Sequence, residues 1–204
     1  MIMKTTIFNF KIVLTVIFSL LVTACVTETV GRSPSMKFDS AAVISVQNPN
    51  VAINKKSTFA WLPEAIRFYD DVRLDTAPIK MLINDEVVKN LLVNEMNFVD
   101  SVKDSEFSIA YTAALESSLD DETVIRRFGL LPGNTQVPKD DSNVEKGTVI
   151  IYVFENRTNA VIWRSAAQVG VKFDMSMDER KERVTRVIGE MFQTFPVKKE
   201  VVGN

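Results

Sequence analysis

The stretch TVIIYVFENRTNAVIWRSAAQVGV, residues 148–171, decides the fold. Two apolar, β-branched runs, Thr148–Phe154 and Ala160–Val171, flank the turn-forming residues Glu155–Asn159, which is the pattern of an antiparallel hairpin. With that loop, Val153 faces Val161, Ile151 faces Trp163 and Val149 faces Ser165 on one side of the ribbon. Ile150, Tyr152, Phe154, Ile162 and Arg164 fall on the other, because successive side chains alternate across a strand. The first set is the expected core.

Working outward, Asp178–Phe195 carries Val184, Val187, Ile188, Met191, Phe192 and Phe195 at helical spacing and stops before Pro196, so it is expected to pack on the sheet as a helix. Upstream, Met36–Val46 and Ser57–Leu62 read as strands. Thr76–Phe98 changes period, with Ile79, Leu82, Ile83, Val87, Leu91 and Phe98 recurring every three or four residues; Asp75 or Thr76 is the expected cap. Glu106–Ala113 alternates like a half-buried strand. A short helix ending near Gly129 and a polar loop are expected between Leu119 and Lys146. Paired strands with helices between and after them predict an α+β two-layer sandwich, with a largely antiparallel sheet and two main helices on one face.

The N-terminus carries a different message. Lys4 and Lys11 precede an apolar run, Ile12–Ala24, that ends at Cys25, the chain's single cysteine. A basic start, an apolar core and small residues before a cut make a secretory signal peptide. The run has 13 residues, too few for the about 20 that span a bilayer. Val22, Thr23, Ala24 and Cys25 resemble the bacterial lipobox. That resemblance implies a diacylglycerol on the Cys25 sulfur, cleavage between Ala24 and Cys25, and acylation of the new amine. Two buried acyl chains already hold a protein stably, at about 0.8 kcal/mol per methylene. The expected organisation is a signal peptide over 1–24, a lipidated cysteine and tether over 25–35, one domain over 36–196 and a loose tail over 197–204.

Loss of residues 1–24 would take 24 from 204 residues and leave 180; with Lys4 and Lys11 gone, 22 basic residues stand against 26 acidic ones, a formal charge of −4. An acidic chain of this kind argues against nucleic-acid binding, which needs clustered Lys and Arg. The chain has no histidine, which removes the usual general base, the Ser-His and Cys-His nucleophiles and most zinc sites. Asp70-Asp71, Asp120-Asp121 and Asp140-Asp141 lack the spaced ligands and bend glycine of a calcium loop and read as loop or helix-start acids. No phosphate-cradling glycine loop is present. The sequon Asn156-Arg157-Thr158 reads simply as the hairpin turn.

The order of these motifs resembles a family. The lipobox, Phe59-Ala60-Trp61 with Pro63 after it, the long helix and FSIAYTA strand, GTVIIYVFENRTNAVIWRSAA, and the closing Phe195-Pro196 are similar to bacterial envelope lipoproteins of the domain-of-unknown-function family DUF4136. The likeness covers about Met36 to Pro196. It departs at the turn, where the family tends to have an aspartate and a glycine, and after Pro196, where valine replaces a second proline. It implies a lipoprotein facing the periplasm and carries no catalytic residue. Val26, in place of an aspartate after the lipidated cysteine, implies the inner leaflet of the outer membrane.

The functional expectation is therefore a non-enzymatic, membrane-anchored domain with no cofactor or metal, binding an envelope protein or an apolar ligand. Its candidate face is Ile150, Tyr152, Phe154, Ile162 and Arg164, an apolar patch rimmed by charge. The competing reading of Arg164 is an arginine that pairs with an acid or covers a ring while Trp163 fills the core. The rival from another class is a hydrolase or lyase using a pair of carboxylates about 5–9.5 Å apart.

Overall fold

The structure is a computed structural model that describes residues 40–130, 132–133, 137–138 and 140–198, all within the unit formed by residues 35–204. The cleavage site Ala24 and Cys25, the tether over 25–35 and residues 199–204 lie outside the described residues.

The hairpin forms β6 (Val144–Glu155) and β7 (Ala160–Lys172), joined by a turn over 156–159 in which Asn159 takes a left-handed backbone (φ 54°) that asparagine tolerates. Its register differs from the simple alternation read from the sequence. Phe154 pairs with Val161 and Val153 with Trp163, leaving Ile162 as the extra residue of a β-bulge. Beyond the bulge Ile151 faces Ser165 and Val149 faces Ala167, so Val149, Ile151, Val153, Trp163 and Ser165 keep the expected face with different partners, while Val161, expected in the core, is turned to the other face by the extra residue. Asn156 locks the turn down: its Nδ2 donates to Ser105 O at 2.8 Å and its Oδ1 accepts from Ser108 Oγ at 2.5 Å.

Around this hairpin, β1 (Ala42–Gln47) pairs with β7 and β5 (Phe107–Leu115) with β6, all antiparallel. On the far side of β5 the sheet turns parallel. There β2 (Thr58–Trp61) and β3 (Arg67–Phe68) lie one after the other along β5, interrupted by a 3₁₀ turn at Pro63–Ala65, and β4 (Asn97–Phe98) pairs with β2. The result is an open, mixed seven-stranded sheet in the order β1-β7-β6-β5-β2-β4, in an α+β fold.

Helices α1 (Thr76–Val93) and α3 (Met177–Phe192) cover one face. On it Ile83, Val87 and Leu91 from α1 and Val187, Ile188 and Met191 from α3 bury Ile109, Tyr111, Ile151, Val153 and Trp163. Trp163 sits 5.4 Å from the ring of Phe192 and 5.2 Å from that of Phe195. A capping box between Ser176 and Glu179 starts α3, and the buried Glu86 of α1 accepts from Thr185 Oγ1 of α3 at 2.9 Å, tying the two helices together. The expected extension of α1 to Phe98 fails at Asn94 and Glu95: Glu95 takes φ 61°, and Phe98 joins the sheet edge instead. Among the described residues no helix is long and apolar enough to cross a membrane.

The opposite face carries the short helix α2 (Asp121–Phe128). Asp120 caps it by accepting from Thr123 N at 2.7 Å, and Gly129 ends it in the left-handed region (φ 62°), where a glycine is needed. Val124, Leu119 and Leu130 close a second, smaller core over Ile150, Ala114 and Ala166.

Candidate functional site

Where α2 stops, the second sheet face opens into a groove of about 410 Å³. Its floor is Tyr152 and Phe154 of β6 and Arg164 of β7, which lies directly opposite Tyr152. The bulge decides which residue follows: it turns Ile162 into the helix-side core and leaves Val161 on the groove side, 42% exposed. The end of α2 brings Arg127 and Phe128, with the Phe128 ring 5.9 Å from that of Tyr152. Gly129 lies beside Arg164, where a Cβ would make an ordinary contact, 3.8 Å, with Nη2. From the other side β3 contributes Arg67, and Tyr69 follows it, held by its N–H donating to Ala113 O at 2.9 Å.

Of the face expected from sequence, Tyr152, Phe154 and Arg164 line this groove. Ile150 is wholly buried under α2 and Ile162 is 2% exposed in the other core, so neither reaches it. Sequence reasoning missed Arg67, Tyr69, Arg127 and Phe128. The run Arg126-Arg127-Phe128 before a helix-ending glycine could have pointed to the α2 residues; nothing local singles out Arg67. Tyr152 is half-buried and donates to Thr112 Oγ1 at 3.3 Å. Burial pushes its hydroxyl up to about 12, against the smaller pull of the Thr112 hydrogen bond and the Arg164 charge. It is a neutral hydrogen-bonding group at any physiological pH.

A second depression, of about 120 Å³, lies between the sheet and helices α1 and α3, bounded by Ile79, Ile83, Ala113, Val149, Val184 and Val187. Its size is near that of apolar cavities that stay dry and admit benzene, about 150 Å³. Arg180 and Arg183 stand at its rim, but Arg180 donates to Phe173 O at 2.8 Å and Arg183 to Gly170 O. Each of those bonds takes up one N–H of its guanidinium group.

Neither depression is lined by an aspartate or glutamate. The acidic pairs have structural work instead. Asp70 accepts from Lys80 Nζ at 2.9 Å, Asp71 from Arg73, Asp120 caps α2, Asp121 accepts from Lys146 Nζ at 2.7 Å, and Asp141 accepts from Asn143 N at 2.9 Å. Among the described residues no group of three or more acids could hold a metal ion.

A family model described as a domain of unknown function, DUF4136, matches residues 43–197. The chain belongs to this family. The DUF4136 match runs from β1 to the strand-like contact that follows α3, so it takes in both helix layers and the groove. No curated protein matches the chain in sequence. Among solved structures it is similar to the PelC dodecamer from Paraburkholderia phytofirmans, at 7% identity and a TM-score of 0.46 over 78% of this chain and 100% of that one. It is similar to a DUF4136 protein from Bacteroides thetaiotaomicron, at 10% identity and a TM-score of 0.46 over 75% and 94%. A minor lipoprotein from Acinetobacter baumannii follows at 11% identity and a TM-score of 0.32 over 68% and 87%.

Proposed function

We propose that this DUF4136 chain is a lipoprotein of the bacterial envelope, anchored through Cys25 at the inner leaflet of the outer membrane and facing the periplasm, and that its domain binds rather than catalyses. The anchor rests on the sequence: the basic start, the 13-residue apolar run and the lipobox-like Val22-Thr23-Ala24-Cys25. The observation that carries the binding role is the groove beside α2. It joins aromatic walls to arginines in a concave site of about 410 Å³, within the range of small-molecule pockets, and offers no carboxylate for acid–base work.

Intact-mass analysis of the membrane fraction tests the anchor. The native chain should appear shortened by 24 residues and heavier by its acyl groups, while Cys25→Ser should remain an unlipidated precursor. The same cleaved, acylated product from Cys25→Ser would end this reading of the N-terminus.

A further inference from the structure

The three arginines of the groove come from three separate elements: Arg67 from β3, Arg127 from the last turn of α2 and Arg164 from β7. None of them has an ion pair among the described residues, and the hydrogen bonds there give Arg67 one acceptor, the carbonyl of its neighbour Ile66 at 2.8 Å. Three other arginines find carboxylates: Arg73 reaches Asp71 and Glu145, Arg126 reaches Glu122, and Arg157 reaches Glu155, while Arg180 and Arg183 donate to backbone carbonyls at the far end of the other sheet face. Gathering three cations that lack such partners runs against the composition of a chain whose acids outnumber its bases, 26 to 24. It also carries a cost, since like charges around one cleft repel.

The structural explanation covers only part of this. A cation in the last turn of a helix meets the negative end of its dipole, which accounts for Arg127. Arg67 and Arg164 are on strands and have no such reason. Guanidinium forks match carboxylate and phosphate oxygens, and the rings of Tyr69, Phe128, Tyr152 and Phe154 stand beside them. A bare inorganic anion would use the arginines and leave the rings idle, while a neutral apolar molecule would do the reverse.

We infer that the groove binds a small organic anion, a ring or apolar body bearing a carboxylate or phosphate, with Arg67, Arg127 and Arg164 on its charged end and the aromatic walls on its body. The inference rests on the reading of this face as the binding surface. The volume, about 410 Å³, fits a compact ligand.

The test uses the full chain in a neutral detergent, with NMR signals of labelled tyrosine and phenylalanine as readout and phenyl phosphate, inorganic phosphate and phenol as probes at equal ionic strength. Phenyl phosphate should move the Tyr152 and Phe154 signals at lower concentration than either of the others. Arg127→Gln and Arg67→Gln, both at exposed positions, should each weaken it about tenfold, the scale of one charged hydrogen bond, and melting curves would show that both variants fold. Arg126→Gln, whose partner is Glu122 and which lies outside the groove, should leave binding unchanged. Phenol binding as tightly as phenyl phosphate would overturn the anion and keep the binding face. Silence from all three probes up to about 10 mM would overturn both.

Discussion

Replacing Lys146 with methionine should change stability little, while neutralising the two acids that hold it should be severe. Lys146 lies on the second sheet face under α2, its side chain 8% exposed, with Nζ 2.7 Å from Asp121 Oδ2 and 2.9 Å from Glu116 Oε1. The acids themselves are 41% and 44% exposed. In Lys146→Met both carboxylates regain water and the methionine keeps most of the buried stem, so the expected change is within about 1 kcal/mol of zero. In Glu116→Gln/Asp121→Asn the ammonium stays under the helix without a counter-charge, which costs about 3–5 kcal/mol. At about 2–4 °C per kcal/mol for a chain of this size, the melting temperature should move by no more than about 4 °C in the first case and fall by about 6–20 °C in the second. Urea titration followed by tryptophan fluorescence measures both. The alkaline limb is a second readout. Burial alone would lower the Lys146 pKa, but its hydrogen bonds to Asp121 and Glu116 outweigh that and hold it above the ordinary 10.5. A raised folded pKa gives stability that is fully present below about pH 10.5 and lost above it, so Lys146→Met should flatten that limb. A methionine variant as unstable as the double neutral one would refute the reasoning.

Three further outcomes are expected. Ala113→Val adds two methyl groups into the cavity between sheet and helices and should raise stability by about 1 kcal/mol, or about 2–4 °C; a lower melting temperature would mean the space is not open at that wall. Hydrogen bonds from the Arg73 side chain and backbone hold Asp71 near 2. Because that folded pKa is lowered, the stabilisation exists above about pH 4 and disappears towards pH 2. The partly exposed Arg73 limits it to about 1 kcal/mol, so Asp71→Asn should cost that much at pH 7 and nothing in strong acid, as pH-dependent urea titrations would reveal. Phe192→Ala removes a ring packed on both Trp163 and Phe195 and should cost about 3–5 kcal/mol in urea; a loss under 1 kcal/mol would contradict the packing.

Long periodic elements were legible in the sequence. The four-residue steps of Ile79, Ile83, Val87 and Leu91 do face the sheet, and the apolar runs around Glu155 do form the hairpin. The bulge was not legible, because Ile162 and Trp163 are both large and apolar, and alternation cannot say that two neighbours share one core. Nor were β3 and β4, each too short to show a period, or the parallel pairing of β2 with β5, which no local pattern marks. Arg164 stood out in the sequence, yet its companions Arg67 and Arg127 are set beside it only by the path of β3 and by the stop at Gly129. The apolar cavity depends on small residues such as Ala113 and Gly147 at one end of the sheet, and small residues leave no mark in a hydrophobic pattern.

The pairing of β1 with β7 also sets an order of assembly. Ser45 meets Ser165 across 120 residues of chain, and Ile53 meets Val197 beyond α3. At synthesis rates of about 5–20 residues per second, AVISV exists for roughly 6–24 s before its partner strand has been made. The first of the described strands to emerge is thus among the last to be placed. Until then it is an uncharged, β-prone segment with both edges bare, one that a holding chaperone would have reason to cover.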